Sequence, residues 1–160
     1  MKSRLMCAAI AAALLWGSQS AADKMVVGWV EEASIKPENL ILQAKVDTGA
    51  GNTSIDARNI DFVKRDGRRF IRFEVDGRDG NTVEIEREQV GIETVPQLSG
   101  EYQERPLVIM EICLGNECRN TVVNLTDRSR LRYPLLIGRS FMLDRVICNP
   151  SARYTRKPDR

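Results

Sequence analysis

The chain has 160 residues, no histidine, and a formal net charge of +2 from 24 basic and 22 acidic side chains. Ser-His-Asp hydrolases, Cys-His hydrolases and the H-E-x-x-H zinc site all need imidazoles, so the composition excludes these classes. The near-neutral charge gives no support for binding to nucleic acid, and no loop of the G-x-x-x-x-G-K-[ST] or G-x-G-x-x-G type is present to hold a nucleotide.

The first 22 residues are predicted to be a cleaved signal peptide. Lys2 and Arg4 precede an apolar stretch at 5–16, and small residues precede a cleavage site before Asp23. The apolar stretch is shorter than the roughly 20 residues that a membrane span needs, although an uncleaved anchor is the alternative. We therefore expect a periplasmic or secreted protein, with no stable membrane insertion after cleavage and a single domain at 23–160.

After residue 25, short apolar or alternating segments separated by turn formers predict strands. A charged hairpin turn is predicted at 63–69, another turn at 76–81, and one short helix at 139–143. Many short strands at even spacing predict an all-β fold, namely a closed or partly open β-barrel. The strands are predicted at 25–30, 40–46, 70–75, 83–86, 106–114, 118–125, 135–138 and 145–148, with a crossover segment at 56–62.

The basic end of the chain, at about 153–160, is expected to be a disordered or loosely docked tail, with a binding arm as the alternative. This expectation is based only on its run of cationic residues.

Three cysteines remain after signal cleavage. Gly115-Asn116 suits a two-residue hairpin turn, which places Cys113 opposite Cys118 in a non-hydrogen-bonded pair, where side chains approach closely. A disulfide there is sterically reasonable in an oxidising compartment. The alternative is a bond from Cys148 to either of them. No metal site is expected, because zinc needs more than three thiolates when no imidazole is present.

The segment that carries the most chemical information follows the second predicted strand. Asp47-Thr48-Gly49-Ala50 places a carboxylate on a tight turn, where the glycine lets backbone N–H groups approach it. The later run Ile137-Gly138-Arg139 ends an apolar segment that would form a buried strand beneath this turn. Asp47 alone could belong to an ordinary turn, but the two segments together favour a functional carboxylate.

The two segments resemble the core of the retropepsin-like aspartic peptidases. The closest resemblance is to the bacterial members often labelled "ATP-dependent zinc protease", and it covers about residues 26–154. That label suits this sequence badly, because neither a nucleotide loop nor imidazole ligands are present, so no cofactor is expected. One departure is Gly51-Asn52, which stands where the family usually has a single basic residue. The motifs that carry the resemblance are 45–50, Thr53-Ser54, 105–108, 124–128 and 133–139.

The resemblance implies that Asp47 is catalytic and that two subunits each supply one copy, so a homodimer is expected. Thr48 would hold the two turns together across the dimer axis. A flap is expected at 72–86, with an ordinary exposed hairpin as the alternative. The run at 137–139 would brace the turn, with Arg139 paired to Asp56 or Asp144. Possible contacts to substrate are Thr53, Ser54, Arg105 and Arg128.

The sequence thus predicts an exported aspartic endopeptidase that hydrolyses peptide bonds of envelope or periplasmic proteins and needs neither ATP nor zinc. A non-catalytic module that binds peptides or proteins in the same cleft is the alternative. Glycoside hydrolysis would also need only carboxylates, but no second carboxylate has a comparable context.

Overall fold

The computed structural model describes residues 24–97 and 99–158, where the chain forms eleven strands and one short helix. The predicted signal peptide lies outside the described residues. The single helical turn is too short to cross a bilayer, and no other helix among the described residues is a candidate span. The strands are β1 (Met25–Gly28), β2 (Val30–Lys36), β3 (Leu40–Val46), β4 (Thr53–Asp56), β5 (Arg58–Arg65), β6 (Arg68–Asp76), β7 (Thr82–Pro96), β8 (Tyr102–Leu114), β9 (Glu117–Thr126), β10 (Leu135–Ile137) and β11 (Val146–Asn149), and the helix is α1 (Arg139–Met142).

Six strands close into a barrel in the order β2-β3-β10-β4-β9-β8, and the pairing of β2 with β8 completes the ring. Because successive side chains of a strand point to opposite faces, the alternation in β3 buries Leu40, Leu42, Ala44 and Val46 inside. The prediction of an all-β barrel with one short helix is confirmed, and the barrel is of the closed kind.

The meander β5-β6-β7 covers the barrel core. Ile71, Phe73 and Val75 of β6 are buried together with Ile85 of β7, which lies opposite Phe73 in the sheet. The prediction of a broad charged turn at 63–69 is wrong, because β5 and β6 continue to a tight turn at Asp66-Gly67. The charged side chains of this segment are exposed to solvent on the two strands, so their presence does not indicate a loop.

Strands β7 and β8 are longer than the strands predicted at 83–86 and 106–114, and they form a hairpin that the sequence did not predict. Both strands extend beyond the meander to Pro96 and Tyr102, and they pair with each other up to that end. A bulge between Gln89 and Gly91 bends β7 where it leaves β6. The outer half of this hairpin therefore projects from the barrel wall, and its tip contains Leu98, whose placement lies outside the described residues.

The basic tail is not loosely docked. Glu31 of β2 is fully buried, and its carboxylate accepts hydrogen bonds from the backbone N–H groups of Gly28, Thr155 and Arg156 and from the Thr155 hydroxyl, at 2.5–3.1 Å. A buried carboxylate is stable only when its oxygens are satisfied in this way. The expectation of a disordered tail is therefore wrong for residues 153–156. The cationic side chains of the tail predicted solvent exposure. The backbone of the tail is instead held by Glu31, which is far away in sequence.

Strands β1 and β11 form a separate two-stranded sheet. The predicted first strand is divided at Trp29 into β1 and β2, and β1 pairs in parallel with β11. A disulfide joins Cys113 to Cys118, which are direct partners in the β8–β9 hairpin, with Cα atoms 4.0 Å apart. Cys148 of β11 is a free thiol.

Candidate active site

Asp47 lies at the end of β3, beside the parallel strand β10. Its backbone N–H donates to the carbonyl of Ile137 over 2.9 Å, and its carbonyl accepts from Ala50 N–H over 3.3 Å, which closes the turn. The Gly49 N–H donates to the Asp47 carboxylate over 2.9 Å. Thr48 and Gly49 are exposed at the apex, so the turn presents the carboxylate at the protein surface.

The segment after β10 braces this turn from below. The Arg139 guanidinium donates to the carbonyls of Thr48 and Gly49 at 3.0 and 2.9 Å, and its backbone N–H donates to Ala50. The prediction that Arg139 pairs with Asp56 or Asp144 is therefore wrong. Carbonyl groups, which sequence patterns do not reveal, are its partners.

Gly138 fits against the same loop with no room for a side chain. A Cβ atom at this position would lie 2.3 Å from the carbonyl oxygen of Asn52. The Gly138 N–H also donates to the Thr53 hydroxyl over 3.2 Å. The close packing of two backbone segments explains why glycine stands at position 138.

Lys45 forms a salt bridge with Asp47, with 3.0 Å between its ammonium nitrogen and a carboxylate oxygen. The hydrogen bond from Lys45 holds the pKa of Asp47 below its usual value. Partial burial opposes this shift, and the Gly49 N–H reinforces it. The sequence contained a signal for this contact, because residues two apart in a strand lie on one face. In a single subunit, Asp47 is therefore ionised at neutral pH.

We expect Lys45→Met to raise the pKa of Asp47. The mutation removes the cation that favours the charged form of the carboxylate, so the carboxylate becomes protonated at higher pH as the solution is acidified. Carboxyl-carbon NMR of the protein across the acidic range measures this shift. Lys24→Met is the matched control, since it removes a lysine that pairs with the remote Asp144. An unchanged titration of Asp47 in Lys45→Met would contradict the assignment.

Arg105 and Arg128 face the same site from β8 and from the loop after β9. Burial lowers the pKa of Arg128 most, its neighbour Arg105 lowers it further, and the carboxylates of Asp56 and Asp47 oppose both effects. Burial also lowers the pKa of Arg105, against the charge of Glu93. Because the two guanidinium groups repel each other near Asp47, a further anionic group between them would stabilise both, in addition to the carboxylates already beside them.

The side chains of Thr53 and Ser54 do not reach the protein surface near Asp47. Both are buried in β4, where Thr53 accepts the hydrogen bond from Gly138 and supports the turn. Their expected contact with substrate is therefore wrong. Strand β4 lies inside the barrel wall, where it pairs with β10 on one edge and with β9 on the other.

The expected flap at 72–86 is also wrong in position. Its tip lies against the start of β3, where the Arg78 N–H donates to the carbonyl of Ile41 over 2.9 Å and its side chain pairs with Glu32. At about 3.3 Å per strand residue, this tip is roughly 20 Å from Asp47.

The hairpin that reaches the Asp47 turn is β7–β8. Glu93 of β7 accepts hydrogen bonds from the side chains of Asn52 and Asn124, at 3.0 and 2.7 Å, and thereby ties the hairpin to the loop after Asp47 and to the barrel wall. Sequence reasoning missed Glu93, because its partners lie 41 and 31 residues away. No local pattern predicts such a contact.

The chain matches a known protein family over nearly all of its described length. A sequence model for the RimB-like family, described as the retropepsin-like aspartic endopeptidase RimB, matches residues 26–159. The crystal structure of a Legionella pneumophila protein of unknown function is also similar, with a TM-score of 0.75 and 37% identity. That match covers 84% of this chain and 100% of the other.

Curated relatives carry a different name. A probable alpha-L-glutamate ligase of Parasynechococcus marenigrum is 33% identical over 135 residues, which is 82% of this chain and 29% of the relative. A protein of the same name from Desulfotalea psychrophila is 31% identical over 80% of this chain and 28% of its own length. The chain thus spans less than a third of the length of these relatives.

Proposed function

Because the chain belongs to the RimB-like family of retropepsin-like aspartic endopeptidases, we propose that it is an exported aspartic endopeptidase that acts as a homodimer. The observation that carries the proposal is the Asp47 turn. The turn presents one carboxylate at an exposed apex, and Arg139, Gly138 and Ile137 hold its backbone from beneath. One subunit supplies a single such carboxylate, so the dyad needs a second copy of the chain.

If two Asp47 carboxylates are brought together, ionisation of both is opposed by the repulsion between their negative charges. The pair would therefore titrate in two separated steps. The ionised carboxylate would take a proton from the attacking water, and the protonated one would donate to the scissile carbonyl. The positive charge of Lys45 offsets part of the repulsion between the two carboxylates and stabilises the ionised member of the pair. The exposed Thr48 lies at the apex, where the turn of the second subunit would meet it.

We also propose that Arg105 and Arg128 bind a carboxylate of the substrate and that glutamate-containing peptides are preferred. The support is the mutual repulsion of the two guanidinium groups near Asp47, together with the relatives whose names refer to glutamate. The ligase reaction is not proposed for this chain, because it matches less than a third of those relatives. The proposed reaction is instead hydrolysis of a peptide that contains glutamate.

The proposal is tested by measuring mass and cleavage together. Native mass spectrometry of the mature protein from micromolar to nanomolar concentration gives the fraction of dimer, and a peptide library gives the cleavage rate per subunit at the same concentrations. We expect the rate per subunit to fall in step with the dimer fraction. A monomer that cleaves at a constant rate per subunit would exclude the two-chain dyad. A monomer that binds peptides without cutting them would favour the non-catalytic module.

Arg105→Gln is expected to raise the KM for glutamate-containing peptides about tenfold, which corresponds to roughly 1.4 kcal/mol for a lost charge-assisted hydrogen bond. The KM for the matching glutamine peptides should change little, because they bring no charge to the arginine pair. Steady-state kinetics on paired peptides measures both values. Arg58→Gln is the control, since Arg58 is exposed on β5 and pairs with Asp76. Equal losses on both peptides would contradict a carboxylate contact.

A further inference from the structure

A groove of about 520 Å³ lies at the base of the β7–β8 hairpin, outside the Asp47 site. One wall is the β5–β6 hairpin, with Phe62, Lys64 and Arg69. The other wall is formed by Ile92 of β7 and Pro106 of β8, which lie opposite each other in the sheet. The groove thus separates two hairpins that are joined only through the inner half of β7.

This groove and the Asp47 site lie on opposite faces of the β7–β8 hairpin. Glu93 and Arg105 are direct partners in the sheet and face the Asp47 turn, whereas the adjacent pair Ile92 and Pro106 lines the groove. Neighbouring residues of a strand point to opposite faces, so the hairpin separates the two regions. A ligand in the groove would not occupy the space next to Asp47.

The groove wall carries two cations that directly oppose each other. Lys64 and Arg69 are register partners, and within residues 24–97 and 99–158 neither forms a salt bridge. On the other face of the same hairpin, Arg65 and Arg68 oppose each other too, but each pairs with a glutamate of β7. Like charges directly opposite each other destabilise a sheet. One face is therefore neutralised internally. The groove lining holds one acid, Glu104 of β8, against the two cations, and Glu104 forms no salt bridge among the described residues, so the groove keeps a net positive charge that an anionic partner would stabilise.

The remaining lining suits a polypeptide. Phe62 and Ile92 are 57% and 52% exposed, although large apolar side chains are usually covered. The side-chain oxygen of Gln89 is buried in the lining without a hydrogen-bond donor among the described residues. Beyond residue 89, β7 pairs only with β8, so its other edge can accept an extended strand.

We propose that this groove binds an extended acidic peptide segment of another protein, separately from the Asp47 site. Carboxylates of the peptide pair with Lys64 and Arg69, and an apolar side chain lies between Phe62 and Ile92. The backbone of the peptide pairs with the free edge of β7. This binding site does not depend on whether Asp47 cleaves peptides.

The test is fluorescence anisotropy with labelled hexapeptides on the mature protein carrying Asp47→Asn, so that no cleavage interferes. The probes are Glu-Glu-Leu-Glu-Glu-Leu and its glutamine counterpart. The variant Lys64→Gln/Arg69→Gln should bind the acidic probe roughly fivefold more weakly, the effect of two exposed ion pairs, and should not unfold at a lower temperature. The control Arg65→Gln/Arg68→Gln changes the same net charge on the opposite face and should change binding less than twofold. The same comparison is repeated with Arg105→Gln added, which weakens binding of the acidic probe at the Asp47 site, and the difference between the two double variants should remain.

Three results would overturn the proposal. One is equal binding of the acidic and glutamine probes. Another is an equal loss of affinity in the two double variants, which would indicate non-specific attraction to positive charge. A third is loss of dimer mass in Lys64→Gln/Arg69→Gln without peptide, which would assign the groove to a second copy of the chain.

Discussion

Asp47→Asn is expected to reduce peptide cleavage by the mature protein about 1,000-fold or more, since general acid–base catalysis of this kind contributes roughly 10²–10⁴-fold and both members of the dyad change together. Asparagine keeps the size of the side chain and can still accept from the Gly49 N–H. It cannot take a proton from water or exchange one with a partner. Cleavage of a peptide library, followed by mass spectrometry, measures the loss.

Because Asp47 is partly exposed and Arg139 braces the turn through the carbonyls of Thr48 and Gly49, without contacting the Asp47 side chain, the fold should survive this change. Circular dichroism and urea unfolding of Asp47→Asn check that expectation. Mixing Asp47→Asn with unchanged protein adds a sharper test: the mixed dimers should be inactive, so activity should fall faster than the fraction of unchanged chains. Full cleavage by Asp47→Asn would exclude Asp47 as the catalytic acid.

Local patterns predicted the parts of this fold that depend on neighbouring residues. The alternation at 40–46 gave β3 its buried face, and Asp47 lies at its end as expected. Gly115 and Asn116 form the turn that brings Cys113 opposite Cys118. These features depend on strand periodicity and turn chemistry over fewer than ten residues, which a single sequence displays directly.

The parts that could not be predicted depend on contacts between distant segments. Glu31 and the tail at 153–156 are more than 120 residues apart, so the charges of the tail suggested a loose end. Glu93 meets Asn52 only because a long hairpin folds over the turn. The sequence predicted only separate strands at 83–86 and 106–114 and no hairpin between them, yet Pro96 ends β7 and Pro106 lies within β8, opposite Ile92.

The contacts that support the Asp47 turn were also predicted only in part. The sequence signalled that Gly138 and Arg139 support the turn, because a glycine followed by arginine ends a buried strand. It did not reveal the partners of Arg139, which are backbone carbonyls rather than acids. Every residue has a backbone carbonyl, so the sequence does not show which carbonyl accepts a hydrogen bond. The prediction therefore named carboxylates as the partners of Arg139.

Gly138→Ala is expected to destabilise the protein by about 3 kcal/mol, at the upper end of the usual cost of overpacking. The added Cβ would lie 2.3 Å from the carbonyl oxygen of Asn52 and 3.0 Å from that of Gly51, and both are backbone atoms that cannot rotate away. Relief requires the loop after Asp47 to move. Because that loop carries the hydrogen bonds from Arg139 and Ser140, cleavage should fall along with stability.

Gly51→Ala is the matched control, since it lies in the same loop and its added Cβ would meet only the Arg139 side chain at 3.9 Å. Urea unfolding of both variants separates the two cases: Gly51→Ala should stay within about 0.5 kcal/mol of the unchanged protein. Equal stability of the two variants would mean that the loop moves freely. The Asp47 carboxylate would then not be held in place by the segment at 137–139. That segment would have no role in catalysis.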